Sequence, residues 1–316
     1  MRIHLLLPTL LITAAGCIND FGLETIEPKV EGGLTDTAPP DEEPAQEEEP
    51  VEEEEPVEEE EPVEEEEPVE EEDPAPVDDC EHTSDLIYVI AQDDASLHLF
   101  DPASLSFTRL GTLACDAWSQ PESMSVARDG VAYVRYSDEA VYAVNVETLA
   151  CTPTAYNDKA TAFGAFGMGH ATDSAETWRD QLYVANSRQL ARLDTATWKL
   201  TVLGTMKSQA ELSGDAEGQL WGLLPLESPA QLVQLDKTSG AVLSTTKLPG
   251  FPDASEIDTF AFAAWGGEHF LFVRVFGMGS TTDVYRVDAS GKLSVALEDI
   301  GFEIVGAGVS TCAPTE

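Results

Sequence analysis

Five cysteines, at positions 17, 80, 115, 151 and 312, are the side chains with the most chemistry to offer. A thiolate can attack an electrophile, bind zinc or oxidise to a disulfide, and sequence context decides among these. No two of them have the close spacing of a zinc ligand set. Cys17 ends an N-terminal apolar segment, whereas Cys80, Cys115, Cys151 and Cys312 lie in the remainder of the chain. An export signal in front of four cysteines indicates an oxidising compartment and two disulfides. Other catalytic groups are dispersed. His82, His98, His170 and His269 occur in no HxH or HxxxH pair, and Ser310 lies in GVSTC, which is not a G-x-S-x-G elbow. The run Gly164 to Gly169 (GAFGMG) lacks the strand-to-helix setting of a nucleotide loop, so flexibility or close inner-strand packing is the simpler use of its glycines. No catalytic residue, metal site or cofactor is therefore expected.

Charge narrows the partners. Residues 41–79 hold 24 Asp and Glu with no Lys or Arg, and residues 80–316 hold 31 acidic against 14 basic side chains, a net of −17. Such a field disfavours nucleic acid and anionic lipid and admits cations or basic partners.

Residues 1–17 read MRIHLLLPTLLITAAGC. Arg2 is a brief positive start, Leu5 to Ile12 an apolar core too short to span a bilayer, and Ala14, Ala15 and Gly16 are small enough for a signal peptidase. Small residues directly before a cysteine resemble the lipobox of bacterial lipoproteins, although Ala14 stands where Leu is commonest. The resemblance implies a signal peptide over 1–17 and a lipidated Cys17 holding the mature chain to a bilayer. Ile18 replaces the Asp of an inner-membrane retention signal, which points to the outer membrane or cell surface of the cell envelope.

Residues 18–79 should carry no fold. Pro44, Pro50, Pro56, Pro62, Pro68 and Pro74 recur every six residues between Glu runs, with little apolar surface to bury. Proline breaks helices and like charges repel, so an extended, disordered acidic stalk is expected. At about 3.1 Å per residue in polyproline II, the stretch from 41 to 79 reaches on the order of 120 Å at most.

From Asp85 onward, period-2 strands alternate with turn residues, which marks an all-β chain. Two landmarks recur. One is a strand with a central aromatic, in LIYVI, VAYVR, QLYVA, QLWGL and FLFVR; the other ends in Asp101, Asn145, Asp194, Asp236 or Asp288 before a turn. The second set is spaced 44, 49, 42 and 52 residues apart, the period of four-stranded propeller blades. Inner strands crowd the axis and need small side chains, as at Ser125 and Ala127, Gly164 and Ala165, Ser213 and Gly214, and Ala261 and Ala263. The first repeat, Asp85 to Leu113, shows three strand signals where the others show four. Its missing strand is expected from the C-terminal run EIVGAGVSTC, so residues 80–316 read as a five-bladed β-propeller closed by its C-terminal strand. The ring places Cys80 beside Cys312 and leaves Cys115 to pair with Cys151.

The repeat form resembles secreted bacterial propellers of the kelch, quinoprotein-like and YVTN kind, with no complete signature of any one of them. What the resemblance implies is a fold whose ligands are held by the loops of one face or by the axial channel. Loops between inner and middle strands, and between an outer strand and the next inner one, carry Asp93, Asp94, Asp138, Glu139 and Asp253 with the aromatics Trp118, Tyr156, Phe251 and Phe276. Asp158, Glu227 and Glu256 are in the same set. Acids beside exposed aromatics suit a protein or carbohydrate partner. The expected molecule is a monomeric, non-catalytic binding or scaffold module. The alternatives are a propeller-type lyase or glycan hydrolase working through two axial carboxylates, and a passive envelope component in which the stalk matters most.

Overall fold

The computed structural model describes residues 79–174, 179–277 and 279–316. The expected signal peptide, the expected lipidation site Cys17 and the expected stalk as far as residue 78 lie outside the described residues. Among the described residues no helix is long and apolar enough to cross a membrane.

Among the described residues, twenty strands make five four-stranded antiparallel sheets. Blade 1 holds β1 (Ile87–Ala91), β2 (Ser96–Asp101) and β3 (Ser106–Thr112). Blade 2 is β4 (Pro121–Val126), β5 (Val131–Tyr136), β6 (Val141–Asn145) and β7 (Cys151–Pro153). The one-turn helix α1 (Asp158–Thr161) leads to blade 3, which is β8 (Gly167–Thr172), β9 (Asp180–Ala185), β10 (Gln189–Leu193) and β11 (Leu200–Thr205). Blade 4 is β12 (Glu211–Gly214), β13 (Leu220–Leu224), β14 (Gln231–Leu235) and β15 (Val242–Lys247). Blade 5 is β16 (Ile257–Trp265), β17 (Glu268–Val275), β18 (Asp283–Val287) and β19 (Leu293–Leu297), and β20 (Ile304–Gly308) follows.

The last strand returns to the first blade. Its sheet runs β20-β1-β2-β3, with Tyr88 opposite Gly308, Val89 opposite Ala307 and Ile90 opposite Gly306. The seam it closes is apolar: Ile87, Val89, Phe100 and Ala307 pack with Phe270 and Phe272, both rings 5.5 Å from Phe100. Closure leaves no inner edge to template aggregation.

Small residues line the axis because backbones meet there. A Cβ on Gly167 would lie 2.2 Å from the Ala210 carbonyl oxygen, and one on Gly306 would lie 2.9 Å from the Met124 nitrogen. One expectation needs correction. Gly164 and Ala165 are not part of an inner strand, because β8 starts at Gly167. Gly164 has φ +76° in the connection after α1, where its amide donates to Asp158 Oδ1, so its smallness serves a turn.

The five equivalent Asp or Asn residues share one job. Each side-chain Oδ1 accepts amide N–H groups of the following turn: Ala103 and Ser104 for Asp101, Glu147 and Thr148 for Asn145, Ala196 and Thr197 for Asp194, Thr238 and Ser239 for Asp236, Ser290 and Lys292 for Asp288. Such Asx turns fix the hairpin between third and outer strands in every blade.

Candidate functional site

Alternating strand directions divide the connections between two faces. Hairpins joining inner to second strands, and third to outer strands, turn on one face, called here the hairpin face. Turns joining second to third strands, and the connections from blade to blade, lie on the crossover face.

The two faces are built differently. On the hairpin face, the chain enters through a short 3-10 helix, Asp79–His82, and Cys80 is bonded to Cys312, 232 residues away, with Cα atoms 5.7 Å apart. The residues after β20 then reach across blades. Thr311 donates to Asp180 at 2.6 Å, Gly266 N–H donates to the Pro314 carbonyl at 2.8 Å, and Thr315 donates to Glu217 at 3.0 Å. The tail thus touches blades 3, 5 and 4 on the face where the chain enters.

The crossover face carries all nine residues expected to form a binding face, but their loops and exposure differ from expectation. Asp93, Asp94, Asp138, Glu139 and Phe276 occupy second-to-third turns, and Trp118, Tyr156, Phe251 and Asp253 occupy blade-to-blade connections. No inner-to-second hairpin contributes, because those turn on the opposite face. Tyr156 and Phe251 are also not surface aromatics: both are buried, Tyr156 against Phe166 and Phe251 against Tyr285. Burial accordingly pushes the Tyr156 phenol up to about 12. The aromatics presented to solvent are Trp118, 96 % exposed, and Phe276, 64 % exposed.

Trp118 sits on a loop held from four directions. Leu113 N–H donates to Ala95 O, Tyr142 OH donates to Asp116 O, Asp138 N–H donates to Ser119 Oγ, and Ser137 N–H donates to Gln120 O. The Cys115–Cys151 disulfide ties the base of the loop to β7, its Cα atoms 4.8 Å apart. These contacts bring Asp93, Asp94, Trp118, Asp138 and Glu139 into one sector over blades 1 and 2. Arg109 in that sector pairs with Asp94 at 3.0 Å, and hydrogen bonding from Ser96 together with Arg109 holds the Asp94 carboxyl below its ordinary range.

Toward the axis, the crossover ends of the inner strands hold an ion-pair arrangement that appears twice. Arg135 on β5 pairs with Glu122, and Arg274 on β17 pairs with Asp258. Both acids lie where the register with the second strand shifts, between Pro121 and Ser123 and between Ile257 and Thr259. The third partner is the residue just before the next blade's inner strand. Arg135 lies over the Phe166 ring at 5.3 Å, and Arg274 Nη1 is 2.9 Å from Glu303. The buried atoms Arg135 Nε, Thr259 Oγ1 and Glu303 Oε1, all at this end, have no hydrogen-bond partner. None of these six charged or ring partners was picked out as a site from the sequence. The available signal was an arginine two residues after the landmark aromatic in VAYVR and FLFVR.

Glu211 completes the first of these clusters. It opens β12, is 4 % exposed, and accepts from Ser123 Oγ at 2.9 Å, two blades away. Gly167 of blade 3 leaves room for this reach, since a Cβ there would lie 2.7 Å from Glu211 Cδ. Burial raises the Glu211 carboxyl to about 8, against smaller opposing effects of the Ser123 and Met168 hydrogen bonds and Arg135. Deeper along the axis Ser125 Oγ meets His170 Nδ1 at 2.8 Å, and Ser213 Oγ accepts from Ala264 N–H at 2.9 Å. Burial lowers the His170 imidazole, so it is neutral at pH 7. Among the described residues no three His, Cys, Asp or Glu side chains converge to hold a metal ion. A separate groove of about 370 Å³ lies between blades 3 and 4, lined by Met206, Leu224, Val233 and Val242 with Lys207 as its charged group.

No family model matches the chain, and no curated protein matches it. Solved structures do. A Bacteroides caccae protein of unknown function aligns over 70% of this chain and 97% of its own, at 11% identity and TM-score 0.40. A Bacteroides thetaiotaomicron protein of unknown function covers 70% and 57%, at 12% identity and TM-score 0.42. An engineered GH43 glycoside hydrolase with endo-xylanase and exo-arabinofuranosidase activity covers 58% of this chain and 42% of its own, at 12% identity and TM-score 0.41. The five-bladed propeller rests on the strand order itself; these likenesses add nothing about activity.

Proposed function

We propose that the chain is a lipid-anchored recognition module of the bacterial cell envelope, with the crossover face as its contact surface for a protein or carbohydrate. One observation carries the reading: the chain entry and the C-terminal tail occupy the hairpin face, while the crossover face keeps Trp118 and Phe276 open to solvent. Exposed aromatics on a rigid frame are the usual energetic anchors of an interface. In this reading Cys17 carries the lipid and residues 18–79 act as the spacer. The domain acts as a monomer and makes no use of nucleic acid. The relatedness to kelch, quinoprotein-like or YVTN propellers belongs to the same proposal.

The test is an array of glycans and proteins probed with the full chain and with a W118A/F276A variant. Binding that the variant loses supports the reading. Binding that the variant retains in full, or that is lost instead by T315A on the hairpin face, contradicts it. Labelling with palmitate, abolished by C17S, tests the anchor.

A second reading, a propeller-type lyase or glycan hydrolase, draws on Glu211, a carboxyl kept protonated near neutral pH beside Glu122. Its weakness is accessibility, since the carboxyl is buried and already bonded to Ser123. Turnover that disappears in E211Q with the fold intact would favour it over the recognition module.

A further inference from the structure

We propose that the surface around Trp118 recognises a cationic polypeptide, with a lysine or arginine side chain of the partner laid over the indole. This rests on the crossover-face reading above and names its partner.

Three features converge on it. Trp118 is nearly fully exposed, on a loop braced by a disulfide and by hydrogen bonds from two blades, so little ordering entropy remains to be lost on binding. An exposed indole face attracts cations through its quadrupole. Exposed acids stand on its own loop and on the two turns hydrogen-bonded to it: Asp116 on the loop, Asp93 and Asp94 beside Ala95, whose carbonyl accepts from Leu113, and Asp138 and Glu139, where Asp138 N–H donates to Ser119; Arg109 is engaged by Asp94. The domain as a whole carries 31 acidic and 14 basic residues, a field that draws basic partners in and repels acidic ones. A neutral glycan would use the ring but gain nothing from the carboxylates.

The stalk is itself polyanionic, so total binding of a basic peptide says little, and the readout must be local. The full chain labelled with 5-fluorotryptophan has five indole signals, and the W118F variant assigns that of Trp118. It is titrated with a lysine-rich peptide, with a glutamate-rich peptide of equal length, and with maltohexaose. The expected result is a saturable shift of the Trp118 signal with the lysine peptide alone, weakened by salt. D138N/E139Q, which keeps side-chain shape, should raise the midpoint about fivefold. A Trp118 signal unmoved by the lysine peptide, or a midpoint indifferent to D138N/E139Q, overturns the proposal. A shift with maltohexaose and not with the lysine peptide overturns the cationic partner while leaving crossover-face recognition standing.

Discussion

Replacing Glu211 by glutamine should change how stability depends on pH more than it changes stability itself. The carboxyl is raised from 4.5 to about 8 by burial, so the folded state holds its proton more tightly than the unfolded chain. For such a group the stabilising contribution is complete below pH 4.5 and is lost as pH rises through about 8. Linkage between those two values gives a loss of about 4 kcal/mol between pH 5 and pH 8.5. Histidines run the other way. His98, His170 and His269 are lowered by burial, so what they contribute is present above 6.5 and lost as pH falls through their folded values. The difference between wild type and E211Q cancels them. Glutamine keeps an oxygen for Ser123 and cannot ionise. Urea unfolding at pH 5, 7 and 8.5 should therefore find E211Q gaining on wild type by about 4 kcal/mol across the range, the variant being the more stable at the top of it. A difference that stays constant with pH would show that the Glu211 carboxyl ionises alike in the folded and unfolded chain, contrary to this prediction.

Further predictions concern the ring. Removing Cys80–Cys312, which closes 232 residues, should cost ~5 kcal/mol in the chain-entropy model, and removing Cys115–Cys151, which closes 36, should cost ~4; urea unfolding of the two double-serine variants checks the order. G167A should destabilise by about 3 kcal/mol or more, since its methyl would sit 2.2 Å from a carbonyl oxygen of blade 4. G277A, whose nearest neighbour is Ser280 Oγ at 3.6 Å, should stay within about 0.5 kcal/mol of wild type by the same measurement.

Much of the ring was legible because its constraint is local and repeated. The Asx residues recur at blade spacing since each closes the same hairpin, and the glycines at 306 and 308 announce an inner strand because no larger residue fits against Met124 and Ser125. The same criterion failed at Gly164 and Ala165. Small residues serve turns as well as axes, and GAFGMG holds both kinds within six positions; only Gly167 and Gly169 face a neighbouring backbone. Burial of Tyr156 and Phe251 was not legible either, because the residues that cover them come from elements distant in sequence, among them Phe166 and Tyr285. Glu211 looked like any acid before a strand. Its raised proton affinity comes from burial that exists only once the ring closes, which is also what brings its partner Ser123 to it from 88 residues earlier.

The last strand completes the first blade, and the tail after it, fastened to Cys80, lies on the hairpin face. Peptide mapping of the mature protein under non-reducing conditions tests it directly. The expected map joins Cys80 to Cys312 and Cys115 to Cys151. Cys80 joined to Cys115 or to Cys151 would contradict it.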